Sequence, residues 1–191
     1  MLKLFIKRII DISLSLAGIV LLFPFWVIIA GLIKLNSKGP IFYLHKRVGI
    51  NGKLFTCFKF RSMYLGSDPH SLVSNKTDER VTPIGYFLRK ASLDETPQLL
   101  NVFLGHMSIV GPRPALPSQM EEFSKSDFDK LLVKPGLTGW TQVNGRNSIP
   151  YEKRMELDCW YAKNWNLFLD LKILIKTFFV VFKQDGIYDA K

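Results

Sequence analysis

A chain of 191 residues can hold one domain with a real core and is too short for two large ones. Hydrophobic residues make up 48%, and 26 Lys and Arg against 16 Asp and Glu leave a formal charge of +10. A chain both greasy and basic suits an anionic membrane surface, and without a recognised nucleic-acid motif it gives no basis for a nucleic-acid partner.

The first element is the uncharged run ISLSLAGIVLLFPFWVIIAGLI, residues 12–33, long enough to cross the hydrocarbon core as a helix. It has no small-residue cleavage site and continues past Trp26 to Lys34, so it is expected to stay in the mature protein rather than act as a signal peptide. Lys3, Lys7 and Arg8 precede it, and Lys34, Lys38, Lys46 and Arg47 follow, so both flanks favour the cytoplasm. Pro24 removes one helical hydrogen bond and offers a place to bend. A bent, re-entrant helix satisfies both flanks; the need to satisfy freed backbone groups in lipid favours a straight or mildly kinked span. The residues alone leave both open.

Next come two stretches rich in aromatic and β-branched residues around Asn51-Gly52, a hairpin signal. Residues 65–82 are polar and turn-rich and predict an exposed loop. The segment PIGYFLRKASLDETPQLLNVFLG reads as two helical pieces with a break. The break holds two start signals, a capping box from Ser92 to Glu95 and Thr96 as N-cap before Pro97; either puts Asp94 and Glu95 at or before a helix start. Residues 115–132 predict a surface helix, KPGLTGWTQVNGRN a structured loop, and Tyr151, Met155, Cys159 and Ala162 one face of a further helix. In NLFLDLKILIKTFFVVFK, Lys172, Lys176 and Lys183 share a narrow stripe. That helix fits an interfacial position with snorkelling lysines or a buried one with lysines at its rim, and it offers an apolar face to a second copy, a homodimer.

Cys57 and Cys159 stand too far apart in sequence to suggest a disulfide framework and have no C-x-x-C spacing, so both are expected reduced and buried. His45, His70 and His106 lack metal-ligand spacing and fit structural roles. There is no phosphate loop of the common nucleotide folds and no G-x-S-x-G elbow. Asp127-Phe128-Asp129 is a D-x-D, the pattern that chelates a metal-bound nucleotide diphosphate in many glycosyltransferases, but it also reads as a solvated helix face. Asp94-Glu95 alone could be helix-dipole compensation. With Arg89 nearby, Arg113 in a rigid Pro-Arg-Pro, and Lys59 and Arg61 on the hairpin, the pair fits phosphoryl transfer instead: one carboxylate attacks, one holds a divalent cation, and the cations neutralise phosphate oxygens.

These motifs, in this order, resemble the bacterial monotopic phosphoglycosyl transferases, the small "sugar transferase" enzymes. KRIIDISLSLAGIVLLFPFWVIIA matches their membrane segment, GINGKLFTCFKFRSM the hairpin, SLDETPQLLNVFLGHMSIVGPRP the catalytic core and KPGLTGWTQVNGRN the late loop. The resemblance implies an α+β, mostly helical fold, with a re-entrant helix over residues 1–38 bent at Pro24 and a cytoplasmic catalytic domain over 39–191 at the bacterial inner membrane. It implies Asp94 as nucleophile and Glu95 as ligand of Mg²⁺. The donor would be a UDP-sugar, the acceptor undecaprenyl phosphate and the leaving group UMP. Lys59, Arg89 and Arg113 would bind phosphates or the nucleotide, and Arg146 and Asp158 would line the site. The family often has Ser before the proline where this chain has Phe23, so the hydroxyl that could satisfy a freed carbonyl is missing. The chain is expected to be the minimal form, without the extra spans of longer relatives. A UDP-releasing glycosyltransferase and a non-catalytic membrane scaffold are the competing classes.

Overall fold

The computed structural model describes residues 1–67, 78–145 and 148–183. The fold is α+β and mostly helical, built along the amino-terminal helix α1, Leu2–Asn36. Among the described residues α1 alone is long and apolar enough to cross a membrane, and only 17% of its most apolar window is buried, unlike the core helix of a soluble protein. Pro24 lies inside α1 without ending it. Asp11, Ser15, Trp26, Ile29 and Ile33 are buried, with Ile19 and Leu22 partly so. Steps of three and four make these one helical face, continuous on both sides of Pro24. Trp26, Ile29 and Ile33 enter the main core beside Phe60, Leu88, Leu99, Val102 and Ile173.

Both ends of α1 are tied to the same body. Lys7 Nζ donates to Asp170 Oδ2 at 2.5 Å and to the Val110 carbonyl at 3.0 Å. Arg8 donates to the Val102 and Phe103 carbonyls, and Asp11 accepts from Ser108 Oγ and the Ile109 amide. At the far end, Arg61 donates to the Ser37 and Lys38 carbonyls, a cation placed against a helix carboxyl terminus. The opposite face of α1 leaves Phe5, Ile9, Val20, Leu21, Phe23, Phe25, Val27 and Ile28 exposed.

Strands β1 (Phe42–Val48) and β2 (Leu54–Phe60) pair antiparallel, with Tyr43 opposite Lys59, His45 opposite Cys57 and Arg47 opposite Phe55. The Asn-Gly signal marks the turn: Asn51 and Gly52 have φ 54° and 76°, conformations these two residues tolerate best. Directly opposite residues share a face, so these six side chains project together, while Arg61, past the strand end, turns back to α1. Of the loop expected over 65–82, residues 68–77 lie outside the described residues.

Helices α2 (Pro83–Lys90) and α3 (Gln98–Leu104) confirm the two helical pieces and the break. The expected caps are not the ones used. Ser92 adopts a left-handed conformation (φ 55°) with no side-chain cap, and the 3₁₀ turn Leu93–Glu95 follows. Thr96 donates its hydroxyl back to the Leu93 carbonyl at 2.8 Å instead of capping α3. Seven residues join α2 to α3, and the left-handed Ser92 turns the chain within them, whereas a capping box needs an extended Ser92. Strand β3 (Ser108–Val110) runs parallel to β4 (Gly136–Thr138), so the late loop contains a short strand and then α5, Trp140–Val143. Gly111 and Gly136 touch: a Cβ on Gly136 would stand 2.0 Å from the Gly111 amide nitrogen, so only glycine fits.

Residues 115–132 are not one helix. α4 is confined to Pro117–Glu121, and a 3₁₀ segment, Asp127–Leu132, follows. Asp127 accepts from the amide and hydroxyl of Ser124, a local alternative to helical bonding that starts a new segment. In α6 (Tyr151–Asn164) the buried positions are Met155, Asp158 and Tyr161; Tyr151 is exposed and Cys159 half-buried. Helix α7 (Leu167–Lys183) combines both expectations. Leu169 and Ile173 are buried, Phe168, Leu171, Ile175, Phe178 and Phe179 are exposed, and Lys172 and Lys176 lie over the Trp140 ring. The Lys183 side chain lies outside the described residues.

Candidate active site

The site forms where the hairpin, the Leu93–Glu95 turn and the Pro-Arg-Pro segment meet. Asn101 of α3, fully buried, accepts from the Phe58 amide at 2.9 Å and donates to the Thr56 carbonyl at 2.7 Å, so it reads β2 as a neighbouring strand would. This fixes the turn ahead of α3 against Lys59. The other wall is set by strand pairing. The Gly111 amide donates to the Thr138 carbonyl, the Gly136 amide to the Pro112 carbonyl, and the Val48 amide to the Ala115 carbonyl. Arg113 thus projects from a segment pinned at both ends.

Glu95 receives both cations on one oxygen: Lys59 Nζ at 2.6 Å and Arg113 Nη2 at 3.0 Å from Oε1. No described residue donates a hydrogen bond to Oε2. Burial alone would raise the Glu95 pKa, but the charges of Arg113 and Lys59 outweigh it and hold the carboxyl well below the ordinary range. Asp94 accepts no hydrogen bond from a described side chain. Burial, with the Glu95 carboxylate alongside, pushes its pKa up to about 6 against the pull of Lys59, Arg89 and Arg113. Neighbouring carboxylates are thereby driven apart, one locked ionised and one left bare, the division expected of groups with different tasks. Arg113 keeps 52% of its side chain exposed while bound to Glu95, so its outer edge remains open to a phosphate.

Of the expected residues, Asp94, Glu95, Lys59, Arg89 and Arg113 are brought together; half-buried Arg89 acts on Asp94 through its charge. Asp158 is not at the cleft. It is 3% exposed, pairs with Lys130 at 2.9 Å and accepts from Thr141 at 2.6 Å. A buried ion pair with its lone pairs filled has no free edge for a substrate; Asp158 reaches the site only through Lys130, which lines a small cavity behind Arg113. Arg146 lies outside the described residues. The D-x-D is spent locally, Asp127 on Ser124 and Asp129 on Lys163 at 2.6 Å.

Two cleft residues escaped the sequence reading. Arg47 and Gln98 line it with Lys59, Glu95 and Arg113. Arg47 was legible in principle, since strand alternation puts it on the Lys59 face once the register is known. His45 shares that face, stacks on Tyr43 at 5.0 Å, and has both ring nitrogens buried with no partner among the described residues. Burial, then Arg47, Lys59 and Arg113 against a smaller pull from Glu95, lowers its pKa from 6.5 to about 3. The unfolded imidazole therefore takes up a proton near pH 6.5 while the folded one does not, so this contribution to stability is present above pH 6.5 and is lost as pH falls towards 3. His45→Leu is expected to flatten the decline in melting temperature between pH 6.5 and 5 relative to wild type; an unchanged difference curve would refute it.

Trp26 of α1 donates its indole N–H to Thr96 Oγ1 at 3.0 Å, and Thr96 donates to Leu93, closing the turn that carries Asp94 and Glu95. Trp26→Phe leaves a ring facing Phe60 but removes the donor and part of a buried indole. It is expected to lower stability by about 1–3 kcal/mol, read by chemical denaturation in detergent. Thr96→Val loses the acceptor for Trp26 and also its own bond to Leu93, so it strands the indole N–H and opens the turn directly.

Comparison with known proteins fixes the family. The family model described as bacterial sugar transferase matches residues 2–184. The chain belongs to the bacterial sugar transferase family. The chain is 44% identical over 200 residues to a UDP-galactose-lipid carrier transferase of Erwinia amylovora, covering 96% of the chain and 42% of that relative. It is 40% identical to a UDP-glucose:undecaprenyl-phosphate glucose-1-phosphate transferase of Klebsiella pneumoniae, covering 95% and 41%. It is 42% identical to the uncharacterized sugar transferase EpsL of Bacillus subtilis, covering 95% and 90%. The chain thus spans about two-fifths of the length of several curated relatives and nearly all of another.

Proposed function

We propose that the protein transfers a phospho-sugar from a UDP-sugar to undecaprenyl phosphate, releases UMP and so starts a lipid-linked glycan. The observation that carries this reading is the unequal treatment of two adjacent carboxylates: Glu95 is gripped by Lys59 and Arg113, and Asp94 is left bare beside it. The names of the relatives supply the classes of donor and acceptor. An Asp94 oxygen attacks the sugar-bearing phosphorus, the bond from that phosphorus to the bridging oxygen breaks, and UMP leaves with the electron pair. The aspartyl phosphate keeps its transfer potential. A phosphate oxygen of the lipid then attacks the same phosphorus and frees the Asp94 carboxylate. Lys59, Arg89, Arg113 and Arg47 balance the charge of the diphosphate.

Mg²⁺ fits this donor set. No group of three His, Cys, Asp or Glu among the described residues forms an all-protein cage, but Mg²⁺ is commonly held by one or two carboxylates together with substrate phosphates. Glu95 would hold it through Oε2, and the ion would neutralise charge on the transferred group.

The attachment of both ends of α1 to one body supports a helix that enters and leaves the bilayer on the cytoplasmic side. A crossing helix would carry Lys7, Arg8 and Asp11 away from the partners they contact. To test the reaction, membranes bearing the protein are incubated with UDP-sugars and undecaprenyl phosphate and the released nucleotide is identified. UMP is expected; UDP would make the protein an ordinary glycosyltransferase and overturn the proposal.

A further inference from the structure

Outside the active site, the described residues include a close juxtaposition of two cations, Arg8 and Lys134. It lies at the carboxyl end of α3, where Gly105 adopts φ 89°. A methyl group placed on Gly105 would stand 3.3 Å from Arg8 Nη2 and 3.6 Å from Lys134 Nζ, so both cations border the same small space. Arg8 has a reason to be there, because it donates to the Val102 and Phe103 carbonyls at 2.7 Å each and so satisfies the end of α3. Lys134 has no such reason: among the described residues nothing accepts a hydrogen bond from its ammonium. It is half-buried, and burial together with the charges of Arg8 and Lys7, only partly offset by Asp11, lowers its pKa. Half-burying an ammonium beside a guanidinium costs free energy unless an anion joins them.

The surroundings suggest which anion. Phe103 and Leu104, next to Gly105, are 41% and 57% exposed; Phe5 and Ile9, beside Arg8 on α1, are 64% and 49% exposed; Leu132, close to Lys134 in sequence, is 59% exposed. A soluble anion gains nothing from such a border, whereas a lipid places acyl chains on it and its phosphate between the cations. We propose that Arg8 and Lys134, on either side of Gly105, form a binding site for the phosphate of an anionic membrane lipid, distinct from the cleft at Asp94. The site rests on the reading that α1 sits in the bilayer and not on the transfer chemistry, so the test involves no turnover.

The full chain is placed in phosphatidylcholine vesicles with or without a minority of phosphatidic acid and treated briefly with acetic anhydride, and lysine acetylation is read by mass spectrometry. Phosphatidic acid is expected to reduce labelling of Lys134 several-fold and to leave exposed Lys53, on the hairpin turn, unchanged. Inorganic phosphate added to phosphatidylcholine vesicles is expected to protect neither. Equal labelling of Lys134 in both vesicles overturns the proposal. So does equal protection of Lys53, which would mean only a charged surface, or protection by inorganic phosphate, which would mean a soluble ligand. Lys134→Gln leaves the α3 carbonyl contacts of Arg8 intact and is expected to lower several-fold the phosphatidic acid that co-purifies in detergent, with Lys134→Arg restoring it; retention by the Gln variant equal to wild type also overturns the site.

Discussion

Asp94→Asn is expected to abolish transfer, with UMP release falling roughly a thousandfold or more, as when other enzymes lose a covalent nucleophile. The amide matches the carboxylate in shape but cannot form the acyl phosphate. Because burial already disfavours the Asp94 charge, removing that charge should leave the protein no less stable, so a lost rate cannot be attributed to lost fold. Glu95→Gln should behave differently. It removes the anion that Lys59 and Arg113 share, weakens metal and donor binding, and leaves a slow residual rate. Acid quenching with a donor labelled in its β-phosphate should trap label on wild type and on Glu95→Gln, and none on Asp94→Asn. Near-normal turnover by Asp94→Asn with a dead Glu95→Gln would reverse the two roles.

Asp170→Ala is expected to destabilise the protein by about 3–5 kcal/mol, the cost of leaving a buried cation without its partner and a large part of the stability of a typical domain. Asp170 is 7% exposed and accepts from Lys7, from the Tyr161 hydroxyl at 2.6 Å and from the Trp165 indole at 3.0 Å. Burial and the Asp170 charge keep the Tyr161 phenol protonated, and that hydroxyl also reaches the Val110 carbonyl. One carboxylate thus joins the start of α1, the end of β3, α6 and α7. Chemical denaturation in detergent gives the free energy. Adding Lys7→Met should recover a substantial part of the loss, because the stranded charge goes with it. A double variant as unstable as the sum of the singles would refute the pairing.

Local features of the chain were legible in its sequence. The Asn51-Gly52 turn, the uncharged run of α1 and the carboxylate pair ahead of a helix each need only a few consecutive residues to specify them. Features that depend on distant partners were not. Asp170 reads as one acid in an apolar helix until Lys7, far away in the chain, meets it, and Asn101 reads as a helical polar residue until it is seen serving β2. Ser92 matched a capping box by spacing, but it turns the chain between α2 and α3 in a left-handed conformation that no capping box permits. Asp127 and Asp129 show the opposite case, since a short pattern that also occurs in metal sites is satisfied locally by Ser124 and Lys163, in keeping with the reading of a solvated face. Arg47 falls between these cases, being local once the hairpin register is fixed.

The attachments of α1 also bear on how the protein is made. Lys7, Arg8 and Asp11 leave the ribosome before their partners, which lie 94 to 163 positions later. Until those are synthesised, two cations and an acid at the start of an apolar helix have only water or lipid head groups to satisfy them. On the topology proposed above, the middle of the nascent helix enters the membrane while its first turns stay at the surface, where β3 and α7 can still find them. Release of the chain before α7 emerges should therefore yield a membrane-bound product that lacks the Lys7 clasp, and quality-control proteases would be expected to recognise it.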